Sequence, residues 1–209
     1  MGGRGASSGS VKRYGGGGGD INIVSTTSLI SAREESPELV DQTLTTFRHF
    51  YDNYGTVIGD IQLATISGKG SSTMAYYDGD NIAVNKSYFN KGIATAYNEC
   101  EKTGFHPSKG NKTAMQAVVS HEIGHQLTDV VGKKIGASNL DSAADRIVKE
   151  ARKNTSHRGV VQMASKISKY ATHSNAEAIA EAVADVYCNG KKAKKESHAI
   201  MNVINKYLK

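Results

Sequence analysis

Thiol is scarce in this sequence. Its two cysteines, Cys100 and Cys188, lie far apart in a chain of 209 residues, and neither has a second cysteine close by. That spacing provides neither a cysteine metal knuckle nor a disulfide framework, so both are expected to be reduced thiols of a cytoplasmic-type protein. Long apolar runs are also missing. No stretch approaches the roughly 18 apolar residues that a membrane span requires, and no apolar segment follows the first basic residue as a secretory leader would need. The expectation is therefore neither membrane insertion nor secretion. A chain of this length with 38% hydrophobic residues can fill one core without disulfide or metal staples, so a metal would serve chemistry rather than hold the fold.

Charge of one sign is not concentrated either. The formal net charge of +6 permits binding to nucleic acid through phosphate neutralisation. Yet the positives are dispersed except at Lys191, Lys192, Lys194 and Lys195, and that run lacks the interleaved aromatics of a base-stacking surface. It reads as a solvated loop and helix start. Asp78, Asp80, Asn81 and Asn85 have calcium-ligand chemistry, but the terminal bidentate glutamate of a calcium loop is absent.

Along the chain, residues 2 to 19 are glycine and serine with a few basic residues, ending in five consecutive glycines. Such a segment cannot bury enough apolar surface to offset its ordering entropy, so residues 1–20 are expected to be a flexible tail and residues 21–209 the folded domain. Ser36-Pro37 opens an expected helix to about Tyr51, and Asn53-Tyr54-Gly55 ends it. Thr56 to Ser67 is rich in β-branched residues and reads as a strand. Two shorter strands, Thr73 to Tyr77 and Asn81 to Asn85, flank the turn Asp78-Gly79-Asp80, a strong hairpin signal. From about Asn111 the pattern becomes helical, with segments expected at 111–128, 139–154, 159–170, 174–188 and 194–208. No internal repeat is visible. The order implies an α+β domain, with a small mixed or antiparallel sheet followed by a helical half.

Chemistry concentrates in His121-Glu122-Ile123-Gly124-His125. On a helix, residues four apart lie on one face, so both imidazoles can reach one tetrahedral Zn²⁺ ion. Glu122, turned about 100° from His121, reaches water at such an ion without being a ligand. Met115, Val118, Val119, Ile123 and Leu127 form an apolar stripe, with both histidines at its edge, which suits a helix packed on a core with ligands lining a cleft. A third ligand is expected on the helix 174–188, where Glu177, Glu181 and Asp185 recur at every fourth residue. Like charges so placed weaken a helix slightly unless a cation is near. The competing readings are that Glu177 completes a capping box with Ser174 and that the acidic stripe faces water. Spacing alone does not choose between Glu177 and Glu181.

The HEIGH string, then Tyr170 about fifty residues on, then Asn175-Ala176-Glu177-Ala178-Ile179-Ala180-Glu181 resemble the glutamate-ligand zincin metallopeptidases, and among them the anthrax lethal factor-like catalytic domains. The resemblance implies that Glu177 is the third zinc ligand, that Glu181 supports the site from one turn further on, and that Tyr170 donates to the oxyanion. A ligand histidine commonly gives its second N–H to a carboxylate, which Glu181 can supply. Departures occur at Ala178 and Ile179, where that family often has aromatics, and at Val183, which replaces another; a smaller cleft or core is implied there. The N-terminal Gly-Gly-Arg-Gly-Ala-Ser-Ser-Gly is similar to segments of bacteriophage head-associated proteins. That likeness implies association with phage structural proteins, in the host cytoplasm or the particle.

The expected function is hydrolysis of peptide bonds in a peptide or protein substrate by a Zn²⁺ enzyme, with Glu122 as general base. Two alternatives belong to other classes: a zinc-bearing but inactive binding domain of a phage or prophage protein, and a basic nucleic-acid-associated domain in which the motif is accidental. Among the other histidines, His106 precedes the motif helix and can approach the cleft, although a loop histidine is structural by default. His173 lies between Tyr170 and Glu177. His49, His157 and His198 have no partner at ligand spacing and carry no expected role.

Overall fold

The computed structural model describes residues 22–55, 61–67 and 73–209. The expected glycine-rich tail, residues 1–20, and the expected strand start, residues 56–60, lie outside the described residues. The elements follow the order β1 (Asn22–Ser28), α1 (Pro37–Tyr54), β2 (Ile61–Ser67), β3 (Ala75–Tyr77), β4 (Ile82–Asn85) and α2 (Gly92–Lys102). The helical half then contains α3 (Ala114–Lys134), α4 (Leu140–Lys153), α5 (Val160–Ala164), α6 (Asn175–Asn189) and α7 (Lys195–Leu208). The architecture is α+β, and the sheet is mixed.

Strand order in the sheet is β1-β2-β4-β3. β1 pairs antiparallel with β2, β2 parallel with β4, and β3 antiparallel with β4. The β3–β4 hairpin closes as its turn residues dictate: Asp78 Oδ1 accepts from the backbone N–H groups of Asp80 and Asn81 at 2.9 and 2.6 Å, and Gly79 takes φ 105°. Leu63, Ala75, Tyr77, Ile82 and Val84 pack into the main core with the helices, while Ala64, Ile66, Tyr76 and Ala83 cluster on the other face. This alternation is what a period of two produces in a sheet.

Helix boundaries follow local chemistry. Pro37 begins α1 and Gly55, at φ 55°, ends it in the left-handed conformation that glycine adopts at little cost. Thr113 and Gln116 form a reciprocal capping box at the start of α3, and Asn139 and Ser142 do so for α4. α3 runs through the centre of the helical half, with residues buried on most of its circumference. It packs most extensively on α6. Gly124 is the closest point: a Cβ there would lie 2.7 Å from Ala180 Cα and 3.2 Å from Val183 Cβ. Only a residue without a side chain permits that approach.

Two expectations need correction. The expected element order lacks β1 and α2; α2 buries only Ile93 and Tyr97, too sparse a pattern to stand out as a stripe. The helix expected over 159–170 stops at Ala164. Beyond it the backbone N–H groups of Lys169 and Tyr170 donate to the carbonyls of Gly104 and Phe105, both at 2.9 Å, instead of to their own helix. Tertiary pairing with a distant loop overrides local helical periodicity there. No described helix is long and apolar enough to cross a membrane.

Candidate metal centre

The centre is assembled by the contact of α3 with α6. His121 and His125, one turn apart on α3, project toward Glu177 in the first turn of α6, and one ligand atom from each lies within 4.8 Å of the others. Glu177 Oε2 sits 3.1 Å from His121 Nε2 and 3.5 Å from His125 Nε2, buried and without hydrogen-bond geometry to either. A buried carboxylate oxygen without a partner is costly. Ser174 Oγ does cap the N–H of Glu177 at 3.1 Å, but the Glu177 carboxylate turns to the histidines rather than back to the cap. The acidic stripe of α6 does not face water: Glu177, Glu181 and Asp185 are all buried.

Glu181, one turn on, is fully satisfied. Its Oε1 accepts from His121 Nδ1 at 2.8 Å and from His106 Nδ1 at 2.9 Å, and its Oε2 from Ser168 Oγ at 2.7 Å. Because an ionised carboxylate only accepts, the bond to Glu181 places a proton of His121 on Nδ1 and turns Nε2 toward Glu177, so that in the neutral ring Nε2 carries the lone pair. Asp185 works elsewhere. It accepts from Asn189 Nδ2, from the N–H of Lys194 and from Ser197 Oγ, fastening the start of α7.

Electrostatics match this division. Burial opposes the charge on Glu181, but the hydrogen bonds from His106 and His121 outweigh it and bring its carboxyl down to about 2. Glu177 is likewise held well below the usual carboxylate range, with burial overcome by the two imidazoles. Burial disfavours the His121 cation, yet Glu177 and Glu181 raise its pKa well above 6.5. Glu122 is pushed up, chiefly by burial.

Beside the triad lies a cavity of about 150 Å³. Its walls include Met74, Val118, Phe105 and Tyr97, and it is also lined by His121, Glu122, Tyr170 and Glu181. The Tyr170 ring centroid lies 5.8 Å from that of His121. Thus Glu122, Tyr170 and Glu181 all come to the place where His121, His125 and Glu177 converge. His106 and Ser168, which no sequence spacing singles out, join them. His173 is exposed and does not line the cavity, its ring 5.0 Å from that of Tyr170.

The donor set fits a divalent ion such as zinc. A tetrahedral ion with bonds of about 2.0–2.1 Å has ligand–ligand edges of about 3.3–3.4 Å. The separations of 3.1 and 3.5 Å straddle that value, and the orphaned oxygen of Glu177 is the atom such an ion would satisfy. Comparisons with protein-family models, with curated proteins and with solved structures gave no match.

Proposed function

We propose that this protein is a zincin-type zinc endopeptidase, with His121, His125 and Glu177 as the zinc ligands. The observation that carries the reading is the unpartnered, buried Oε2 of Glu177 between two imidazole nitrogens, next to a cavity lined by a helix-borne glutamate and a tyrosine. When bound, zinc supplies Lewis acidity, making nearby water more acidic and a carbonyl more electrophilic.

The chain's own groups account for the rest. Glu122, whose carboxyl is raised by burial, accepts a proton from the attacking water and delivers it to the leaving amine. The Tyr170 phenol donates a hydrogen bond to the substrate oxygen as negative charge develops on it. Glu181 holds His121 through Nδ1 at 2.8 Å, fixing the ring and its tautomer. Thr73, Met74 and Ala75, at the start of β3, line the cavity, and β3 is the terminal strand in the order of the described sheet. That arrangement suits an extended peptide, which pairs with edge strands through its main chain.

The test compares zinc content and peptide-library cleavage in the parent and in Glu122→Gln. The expected result is about one zinc per chain in both and a loss of about 10²–10⁴ in cleavage rate for the variant. Zinc without cleavage in either protein would favour an inactive zinc-bearing binding domain. Failure of the reconstituted parent to hold zinc would overturn the reading.

A further inference from the structure

Glu181 is the point where three separate parts of the chain meet. His121 arrives from α3, Ser168 from the turn after α5, and His106 from the loop before α3, all within 2.7–2.9 Å of the carboxylate. Oε1 is shared by two imidazoles, so its position is set from both sides. His106 is itself held. Its ring stacks on Tyr97, with centroids 5.5 Å apart and planes at 9°, and Tyr97 OH donates to the carbonyl of Pro107 at 3.1 Å.

The same loop also carries the turn that presents Tyr170. Tyr170 N–H donates to the Phe105 carbonyl, Lys169 N–H to that of Gly104, and the His106 and Tyr170 rings lie 5.2 Å apart. Ser168 Oγ, which donates to Glu181, accepts from Ala171 N–H at 3.0 Å. A displaced His106 would therefore free one side of Glu181 and loosen the orientation of His121.

We propose that His106 is a positioning residue of the metal centre, acting through Glu181 to fix the ring and tautomer of His121. The inference rests on the reading of His121, His125 and Glu177 as metal ligands. Carboxylates that orient a ligand histidine affect metal affinity by about 10–100-fold when lost. His106 lies one bond further out and is the group that keeps such a carboxylate in place.

Three substitutions separate this role from mere packing. His106→Asn keeps an N–H close to the position of Nδ1, His106→Gln moves it out toward that of Nε2, and His106→Leu removes it. Zinc affinity is measured by chelator competition, and cobalt-substituted protein gives a visible spectrum that reports ligand geometry; circular dichroism verifies folding. Affinity within about threefold of the parent is expected for His106→Asn, with a loss of about tenfold or more and altered cobalt bands for the other two. Glu181→Gln should show a similar loss, and adding His106→Leu to it should cost little more, because both remove one link.

If His106→Leu fails to fold, the contrast between the asparagine and glutamine variants decides. Parent-like affinity and cobalt spectrum in both would overturn the positioning role while leaving the metal centre intact. A parent that takes up no metal would instead remove the reading on which the role depends.

Discussion

Buried histidine–glutamate contacts occur in two regions of the described chain, and they differ in how they are satisfied. In the loop between α4 and α5, His157 Nε2 meets Glu196 Oε1 of α7 at 2.7 Å, a short, one-to-one pairing. Between α3 and α6, Glu177 Oε2 stands 3.1 and 3.5 Å from two imidazole nitrogens and is hydrogen-bonded to neither. The first contact is complete as it stands and ties α7 to the rest of the helical half. The second leaves a buried carboxylate oxygen without a hydrogen bond, at a point where three side chains that could hold a metal ion converge. Residue types are the same in both regions; unsatisfied convergence distinguishes a candidate binding site from a structural bond.

The largest expected effect bears on the incomplete region. Zinc sites bind with about 10–16 kcal/mol, so loss of one ligand in Glu177→Gln should remove about 4 kcal/mol, roughly a thousandfold in affinity. Isothermal or chelator titration measures this, and retention of parent affinity would erase the distinction. Next comes the complete region. His157→Phe leaves Glu196 buried without its imidazole and should cost about 3 kcal/mol in urea unfolding, while zinc affinity stays at the parent level. A loss of zinc there would show that the two regions are not independent.

Gly124→Val probes how the incomplete site is assembled. The new side chain would meet α6 at Ala180 and Val183, and overpacking of this kind should cost about 2 kcal/mol and also weaken zinc binding. Gly132→Ala is the control, since a Cβ there meets Ala143 at 2.7 Å on α4, away from the ligands. It should shift the melting temperature but not zinc affinity; equal effects of both on zinc would deny Gly124 its local role.

The smallest effect per step is that of pH. In the metal-free protein His121 has a raised pKa, so its contribution to stability is full below 6.5 and fades as pH rises through the raised value. Glu181, lowered to about 2, contributes above its unfolded value near 4.3 and loses this as pH falls through about 2. Metal-free stability from these groups should therefore be greatest between about 4.3 and 6.5. Metal binding displaces the His121 proton, so below the raised pKa affinity should fall about tenfold per pH unit, or about 1.4 kcal/mol, for each proton released. Melting temperatures with and without zinc across about pH 4–9 would display the opposite trends; parallel curves would mean that no proton is exchanged for metal.

Much of the candidate site is legible in the sequence for a simple reason: helices convert sequence spacing into spatial proximity. His121 and His125 share a face because they are four apart, and Glu177 and Glu181 do so on α6. The hairpin is legible because Asp78 and Gly79 provide their own turn geometry. The approach of His106 to the cleft is legible from its place before α3, but the bonds of His106 and Ser168 to Glu181 are not, since they cross 75 and 13 residues through irregular backbone, where no periodicity links position to direction. Gly124 in the sequence is only a letter inside a motif, and its contact with Ala180 depends on which helix lies opposite.

By itself, then, the sequence determined the helical register of the motif, the turn between β3 and β4 and the α+β class, all consequences of interactions within a few residues. Tertiary structure decided that Glu177 turns to the histidines rather than to its cap, that the stripe on α6 faces inward, and that the segment after Ala164 leaves its helix to pair with Gly104 and Phe105. Those outcomes depend on where a buried carboxylate or backbone N–H finds its partner, and the partners come from distant parts of the chain.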